Sequence, residues 1–340
     1  MDHIAIDLGG RKSQICVRSG DGAVIEERRV PTAELSLYLA KRGPAPRRVI
    51  LETCAESFAV ADAAKQLGCE VRVVPATLAR ALGVGARRTK TDERDARCLS
   101  EASCRMDLPS VHIPSLVSRQ RKTQCGMRDA LVASRTQLIN TVRGWMRGQG
   151  IRVRSGATET LPARVRHAVP TPPSYVERQL KMIDELTSSI READKELERE
   201  ARADLATRRL MTVPGVGPVT AIRFVSAIDQ VERFADVHSL QSYLGLTPGE
   251  HSSGERRHRT GINKAGCTQT RRVLVQAAWV HKTRRPNEPA SIWATKVEKR
   301  RGKLIAIVAL ARKLAGILYA LWRDGTTYNP ARGALPAMPA

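Results

Sequence analysis

The chain has 340 residues and a mass of 37.4 kDa, enough for two or three domains, and its 57 Lys and Arg against 34 Asp and Glu leave a net charge of +23. A hydrophobic content of 42% excludes a disordered basic tail, so the charge sits on a folded body and points to a polyanionic partner. Aromatic residues at 4% disfavour binding that works mainly by stacking bases on rings, and seven cysteines, odd in number and without a CxxC pair, disfavour a disulfide framework or a cysteine zinc site.

The opening MDHIAIDLGG carries an acid at once and has no basic segment followed by an apolar run, which reads as no signal peptide and a cytoplasmic chain. Residues 2–8 and 13–18 are β-prone runs joined by Gly9, Gly10, Arg11 and Lys12. Val24 to Val30 is a third run after the turn Asp21-Gly22, so an antiparallel meander is predicted. Val49-Ile50-Leu51 precedes a helical pattern to about Leu67, and Val71 to Val74 begins another strand followed by helix. Three strands, helix, strand, helix, strand, helix is the order a ribonuclease H-like α/β fold requires.

Arg119 to Gly150 is predicted as one long helix carrying Arg119, Arg121, Lys122, Arg128, Arg135, Arg143 and Arg147, with Asp129 its only acid, a composition suited to lying along phosphates. Pro162 to Pro173 holds four prolines and reads as a linker. Val176, Leu180, Ile183, Leu186, Ile190, Ala193 and Leu197 then repeat at threes and fours, as in a coiled-coil hairpin or a dimer seam. A second, mainly helical domain is expected from near Arg208, where the segment Met211 to Pro218 (MTVPGVGP) and the apolar helix Val219 to Ile228 suggest a helix-hairpin-helix-like element. The turn GLTPGEHSSG (Gly245 to Gly254), the basic stretch ERRHRTGINKAG (Glu255 to Gly266) and helical patterns over Gln269 to Thr283 and Gly302 to Trp322 complete it. The apolar stretch Leu304 to Trp322 contains Arg312 and Lys313 and reads as a packed helix rather than a membrane span. The expected division is 1–115, 116–205 and 206–326, with a frayed tail over 327–340.

Three constellations carry chemistry. Asp7 and Glu52 end strands, and Asp92 and Asp95 in TKTDERDA stand three apart, on one face of a helix. If these carboxylates converge, their repulsion calls for a divalent cation, and oxygen-only donors suit magnesium or manganese. The alternative is that Asp7 is a turn former and DERD a solvated helix start. Gly215 and Gly217 in Pro214-Gly-Val-Gly217 form either a backbone cradle for a phosphate or an ordinary tight turn. Ser252 and Ser253 before Gly254, followed by Arg256, Arg257, His258 and Arg259, offer a hydroxyl beside cations that could attack phosphorus, or simply a loop. His251 and His258 lack companion cysteines and do not suggest zinc, whereas Lys264, Arg271 and Arg272 read as phosphate contacts or a solvated basic face.

In order along the chain, IAIDLG with Asp7, ILET with Glu52, KTDERDA with Asp92 and Asp95, VPGVGPVTA, YLGLTPGEHSSG and NKAG followed by Arg271-Arg272 resemble the DEDD-class insertion-sequence transposases, which include Piv-type invertases and bridge-RNA-guided recombinases. The likeness spans roughly residues 2–325. It implies a RuvC-like domain holding magnesium (or manganese) through Asp7, Glu52, Asp92 and Asp95, a coiled-coil insertion for subunit pairing, and a C-terminal transposase domain. It implies further that Ser253, directly before the glycine, is the nucleophile of a covalent phosphoserine link to DNA, with Ser252 the neighbouring alternative. The acids of one subunit would meet the serine of another, in a dimer or tetramer. The basic segments exceed what one active site needs, so a structured guide RNA is expected beside DNA, with no membrane partner. A metal nuclease resembling a Holliday-junction resolvase would use the same acids without Ser253, and a non-catalytic binding module would need neither.

Overall fold

A computed structural model describes residues 1–43, 45–81, 91–250 and 259–330, which form two compact units, Met1–Pro114 and the chain from Ser115 onward. In the first unit β1 (Asp2–Asp7), β2 (Lys12–Arg18) and β3 (Val24–Pro31) make the predicted antiparallel meander. Helix α1 (Leu35–Lys41) leads to β4 (Arg47–Glu52), parallel to β1, and α2 (Ser57–Gln66) leads to β5 (Glu70–Val74), parallel to β4. Helices α3 (Ala76–Ala81) and α4 (Asp92–Arg105) follow, and the sheet order is β3-β2-β1-β4-β5.

Both faces of the central strands are covered, which is why Ile4-Ala5-Ile6 and Val49-Ile50-Leu51 are continuously apolar rather than alternating. Ile4, Ile6, Val49 and Leu51 pack with Leu35 and Leu39 of α1 and Ala61 and Ala64 of α2. Ala5 and Ile50, of opposite parity, pack with Leu99 and Ala102 of α4. Each fully buried Ile or Leu contributes about 1.5–3 kcal/mol.

The second unit begins with α5 (Leu116–Gly148), α6 (Leu161–Ala168) and α7 (Ser174–Ala203). Arg121 meets Glu200 and Asp204, Arg128 meets Asp194, and Arg135 meets Thr187, so α5 and α7 run antiparallel in a hairpin with ties seven residues apart on α5. Ile139, Val142 and Met146 share a core cluster with Val176, Leu180 and Ile183. The apolar stripe of α7 thus packs inside the chain, as a hairpin with α5.

The expected linker over 162–173 is corrected. Leu161–Ala168 is helical, with Pro162 in the first turn, where its missing N–H goes unused, and Leu161, Pro162 and Val165 are buried.

Helices α8 (Leu205–Leu210), α9 (Pro218–Ile228) and α10 (Val237–Tyr243), strands β6 (Pro248–Glu250) and β7 (Arg259–Ile262), and helices α11 (Thr268–Arg284), α12 (Pro289–Arg301) and α13 (Lys303–Arg323) complete the unit. The boundary expected at 205/206 falls inside this unit, between α7 and α8. By length and composition α13 could cross a membrane, yet Leu310, Leu314 and Leu318 lie fully buried in one core with Phe224, Leu240 and Leu274.

Candidate active site and nucleic-acid interface

Asp7 closes β1 and Glu52 closes β4. Ile6 stands opposite Leu51 in the parallel register, so the two acids end neighbouring strands about 4.8 Å apart. They share the parity of Ala5 and Ile50 and so emerge on the face that α4 covers.

Helix α4 is locked in phase by buried hydrogen bonds: His3 Nδ1 lies 2.8 Å from Ser103 Oγ, and Arg18 Nε donates to Ser100 Oγ at 3.1 Å. Burial, reinforced by the charge of Arg48, holds the His3 imidazole below its ordinary pKa. From His3 to Asp7 the strand advances about 13 Å, and from Ser103 back to Asp95 the helix retreats about 12 Å. Asp95, only 2% exposed, thereby comes level with Asp7 across the sheet face. Its position within α4 follows from a helix start at Thr91, whose side chain accepts from Arg94 N.

Asp92 stands three residues before Asp95 on α4 but differs from it in surroundings. Its side chain is 52% exposed and accepts from Arg29 Nη2 at 3.0 Å, toward β3. Asp92 opens the helix, where a carboxylate is favoured by the helix dipole and here also meets a guanidinium. Among the described residues no three His, Cys, Asp or Glu side chains come close enough together to hold a metal ion. The donor chemistry nevertheless fits a hard cation: Asp7, Glu52 and Asp95 offer carboxylate oxygens on one sheet face.

Ser252 and Ser253, with Arg256 and Arg257, lie outside the described residues, as does the side chain of Arg259. The chain entering and leaving that segment is described. Strands β6 and β7 pair antiparallel, and beneath them Asn263 N donates to Thr247 O at 2.9 Å while Asn263 Nδ2 donates to Thr247 Oγ1 at 3.1 Å. Gly245 has φ +68°, and a Cβ there would lie 2.6 Å from Ala265 N. The GLTP turn and the NKAG loop are thus pressed backbone to backbone. Buried Arg271 donates to Leu244 O and Gly266 O, bracing both. Neither this hairpin nor the Thr247–Asn263 tie was anticipated from sequence; the basic stretch after the serines obscured β7.

At the glycine turn, Gly215 has φ +91°, and a Cβ would fall 2.5 Å from Ala277 O of α11. Its role here is close packing. Gly217 has φ −97°, with nothing within 4 Å of a built Cβ, and precedes α9.

A DEDD transposase family profile of the IS110 type, described as "Transposase", matches residues 4–149, and one described as "Transposase IS116/IS110/IS902 family" matches residues 207–292. The transposase of insertion sequence element IS1111A from Coxiella burnetii is 27% identical over 335 residues, 96% of this chain and 91% of the relative. That of IS1328 from Yersinia enterocolitica is 27% identical over 336 residues, 96% and 98% of the two chains. "Putative transposase y4pF/y4sB" of Sinorhizobium fredii is 31% identical over 298 residues, 85% of this chain and 76% of the relative. The chain belongs to the IS110 family of DEDD insertion-sequence transposases.

For an IS110-family transposase the polyanion includes its DNA substrate, and the structure sorts the expected contacts. Arg121 holds Glu200 of α7 and Asp204 just beyond it, Arg128 holds Asp194 of α7, and Arg135 holds Thr187 of α7 and Glu159 in the turn before α6. Together with buried Arg271, which donates to Leu244 O and Gly266 O, they make ties within the chain. The acids that α5 lacks come from α7 and from the turns that flank the α6–α7 segment. Lys122, Arg147, Lys264 and Arg272 are exposed, and Arg119 and Arg143 half-buried.

Proposed function

We propose that this transposase cuts and exchanges DNA strands through a covalent phosphoserine formed by Ser253, with Asp7, Glu52, Asp92 and Asp95 as the acidic partners of a magnesium or manganese ion. The observation that carries the reading is the placement of Asp7 and Glu52 at the ends of adjacent parallel strands, with Asp95 level on the covering helix. The sheet order supports a RuvC-like, ribonuclease H-like assignment for the first unit.

In the reaction, the Ser253 hydroxyl oxygen bonds to phosphorus as the bond to the 3′ oxygen breaks, and the hydroxyl proton ends on that oxygen. Energy is conserved in the phosphoserine, so religation needs no external source. A bound divalent cation would supply Lewis acidity at the reacting phosphate. Asp7, Glu52 and Asp95 would hold it, and Asp92 would join on leaving Arg29. Lys122, Arg143, Arg147, Lys264 and Arg272 would hold backbone phosphates, with Gly217 beside them. Target choice would be delegated to a structured guide RNA, and dimers or tetramers would assemble the acids and serine from different subunits in the bacterial cytoplasm.

The test is incubation of protein, magnesium, element-end and target DNA, and RNA from the element's non-coding end. The expected product is a denaturant-resistant protein–DNA band that disappears with Ser253→Ala, with chelation or without RNA. DNA cut to free ends, with no covalent band in wild type or variant, would instead establish a metal nuclease.

A further inference from the structure

The exposed face of α5 and Arg272 of α11 line an open groove of about 670 Å³, in which Val132 and Ala133 stand among Asp129, Thr136, Gln137, Asn140, Thr141 and Arg272. Because the other side of α5 is bound to α7 through its arginines, this face is unlike the basic rail expected from the sequence. It is neutral along its length, with hydrogen-bonding side chains set on a partly apolar floor and charge gathered at one end. There Asp129 is approached by Arg223 Nη2 at 3.0 Å, Arg272 Nη2 at 3.7 Å and Arg128 Nη1 at 3.9 Å. Arg128 also holds Asp194, so three guanidinium groups meet two carboxylates and that end carries one net positive charge, with the Arg272 side chain 65% exposed.

The other groups have defined polarity. Thr136 Oγ1 donates to Val132 O at 2.8 Å and Thr141 Oγ1 donates to Gln137 O at 3.1 Å, so their hydroxyl protons are engaged and they present acceptors. Exposed Gln137 and Asn140 each carry a donor and an acceptor in one plane. A ligand matching this row needs an anionic group at the Arg272 end and planar donor–acceptor edges beyond it. A duplex offers a concave surface its phosphate ridge, which four neutral side chains match poorly, whereas an unpaired strand exposes its base edges.

We propose that the α5–α11 groove binds an unpaired nucleotide segment, with Arg272 on a phosphate and Gln137 and Asn140 on base edges, and that it favours adenine, the base whose edge pairs bidentately with Asn and Gln amides. From Asp129 to Thr141 the groove runs about 18 Å along the helix, the length of about five stacked nucleotides. The groove shares Arg272 with the phosphate contacts proposed above, but its base-reading residues Gln137 and Asn140 have no part in the Ser253 chemistry, so their variants test it independently.

The experiment measures fluorescence anisotropy of the full chain with labelled oligoadenylate and oligouridylate, each as RNA and as DNA, and with a mixed-sequence duplex, across a salt series. Gln137→Ala with Asn140→Ala is expected to weaken oligoadenylate binding about tenfold at an unchanged salt slope, since no counterion-releasing group is lost, and to spare the duplex. Arg272→Ala is expected to lower the slope by about one. Helix content by circular dichroism controls for folding, as all three side chains are exposed. Preference for the RNA strand identifies a guide as the source, and equal or greater affinity for the DNA strand identifies an opened target. An unchanged oligoadenylate affinity in the double variant, or an equal loss for duplex, overturns the proposal.

Discussion

Asp92 Oδ2 lies 3.0 Å from Arg29 Nη2, and Arg29 pairs with Gln14, which pairs with Asp7. The first acid of DERD therefore reaches toward a strand two places, about 10 Å, from the one that carries Asp7. An exposed pair of this kind is worth only about 0.2–1 kcal/mol, well within the reach of a competing cation. Arg29→Ala should raise magnesium-dependent DNA cleavage by no more than about fivefold, whereas Asp92→Asn should abolish it. Undiminished cleavage by Asp92→Asn in a gel assay would show that the pair is purely structural.

The phase of α4 depends on a buried histidine. His3 has a pKa below its ordinary value, so between that lowered value and about 6.5 the unfolded chain binds more protons than the folded one. Stability should be constant in this respect above about pH 6.5 and decline as pH falls below it. Ser103→Ala should cost about 1–2 kcal/mol at neutral pH by leaving His3 without its hydroxyl partner. Urea unfolding midpoints on either side of that pH check both expectations.

The arginines of α5 separate into two experimental classes. Arg135→Ala should lower stability by about 1–3 kcal/mol, since a mostly buried guanidinium is removed from Glu159 and Thr187, and should leave the salt dependence of DNA affinity intact. Lys122→Ala or Arg147→Ala should do the reverse, with a thermal midpoint unchanged and a shallower salt slope by about one each. Equal salt slopes in all variants would remove α5 from the DNA interface.

Gly215→Ala should fail to fold normally, because the substitution meets both a positive φ and a carbonyl 2.5 Å away. Gly217→Ala has room and an ordinary φ, so its thermal midpoint should stay within a few degrees of wild type. Any loss of DNA affinity in Gly217→Ala then reports on the backbone cradle and not on folding.

Cys267 precedes α11. Burial pushes its thiol up, but hydrogen bonds with Thr270 and Gln269 outweigh burial and hold it below the ordinary value, while Cys54, more exposed, is raised chiefly by burial. Near neutral pH Cys267 should be alkylated by iodoacetamide faster than Cys54, as followed by peptide mass mapping. The opposite order would mean that access, not thiolate fraction, governs the reaction.

Much of the first unit was legible because its strands are short apolar runs separated by turns, and because Asp7 and Glu52 end those runs. Asp95 could be assigned to a helix, but only its distance from His3 and Ser103 brings it level with Asp7. The separation of Asp92 depends on Arg29, a residue sixty-three positions away whose own pattern gives no hint of it. Pro162 hid a helix because proline is read as a breaker, although it suits a first turn. The arginines of α5 are a similar case: composition counts charge, and only the packing of α5 against α7 and the turns beside it shows which of those charges have an acid within the chain.

Every helix that covers α13, from α8 through α12, precedes it in the chain. On the ribosome, the segment apolar enough to be taken for a bilayer anchor emerges when its shelter has already been made. Deleting α9 or α11 would strip apolar cover from α13, and the same helix transplanted to the front of the chain would emerge before any of its packing partners. The order of synthesis thus places the packing partners of α13 ahead of α13 itself.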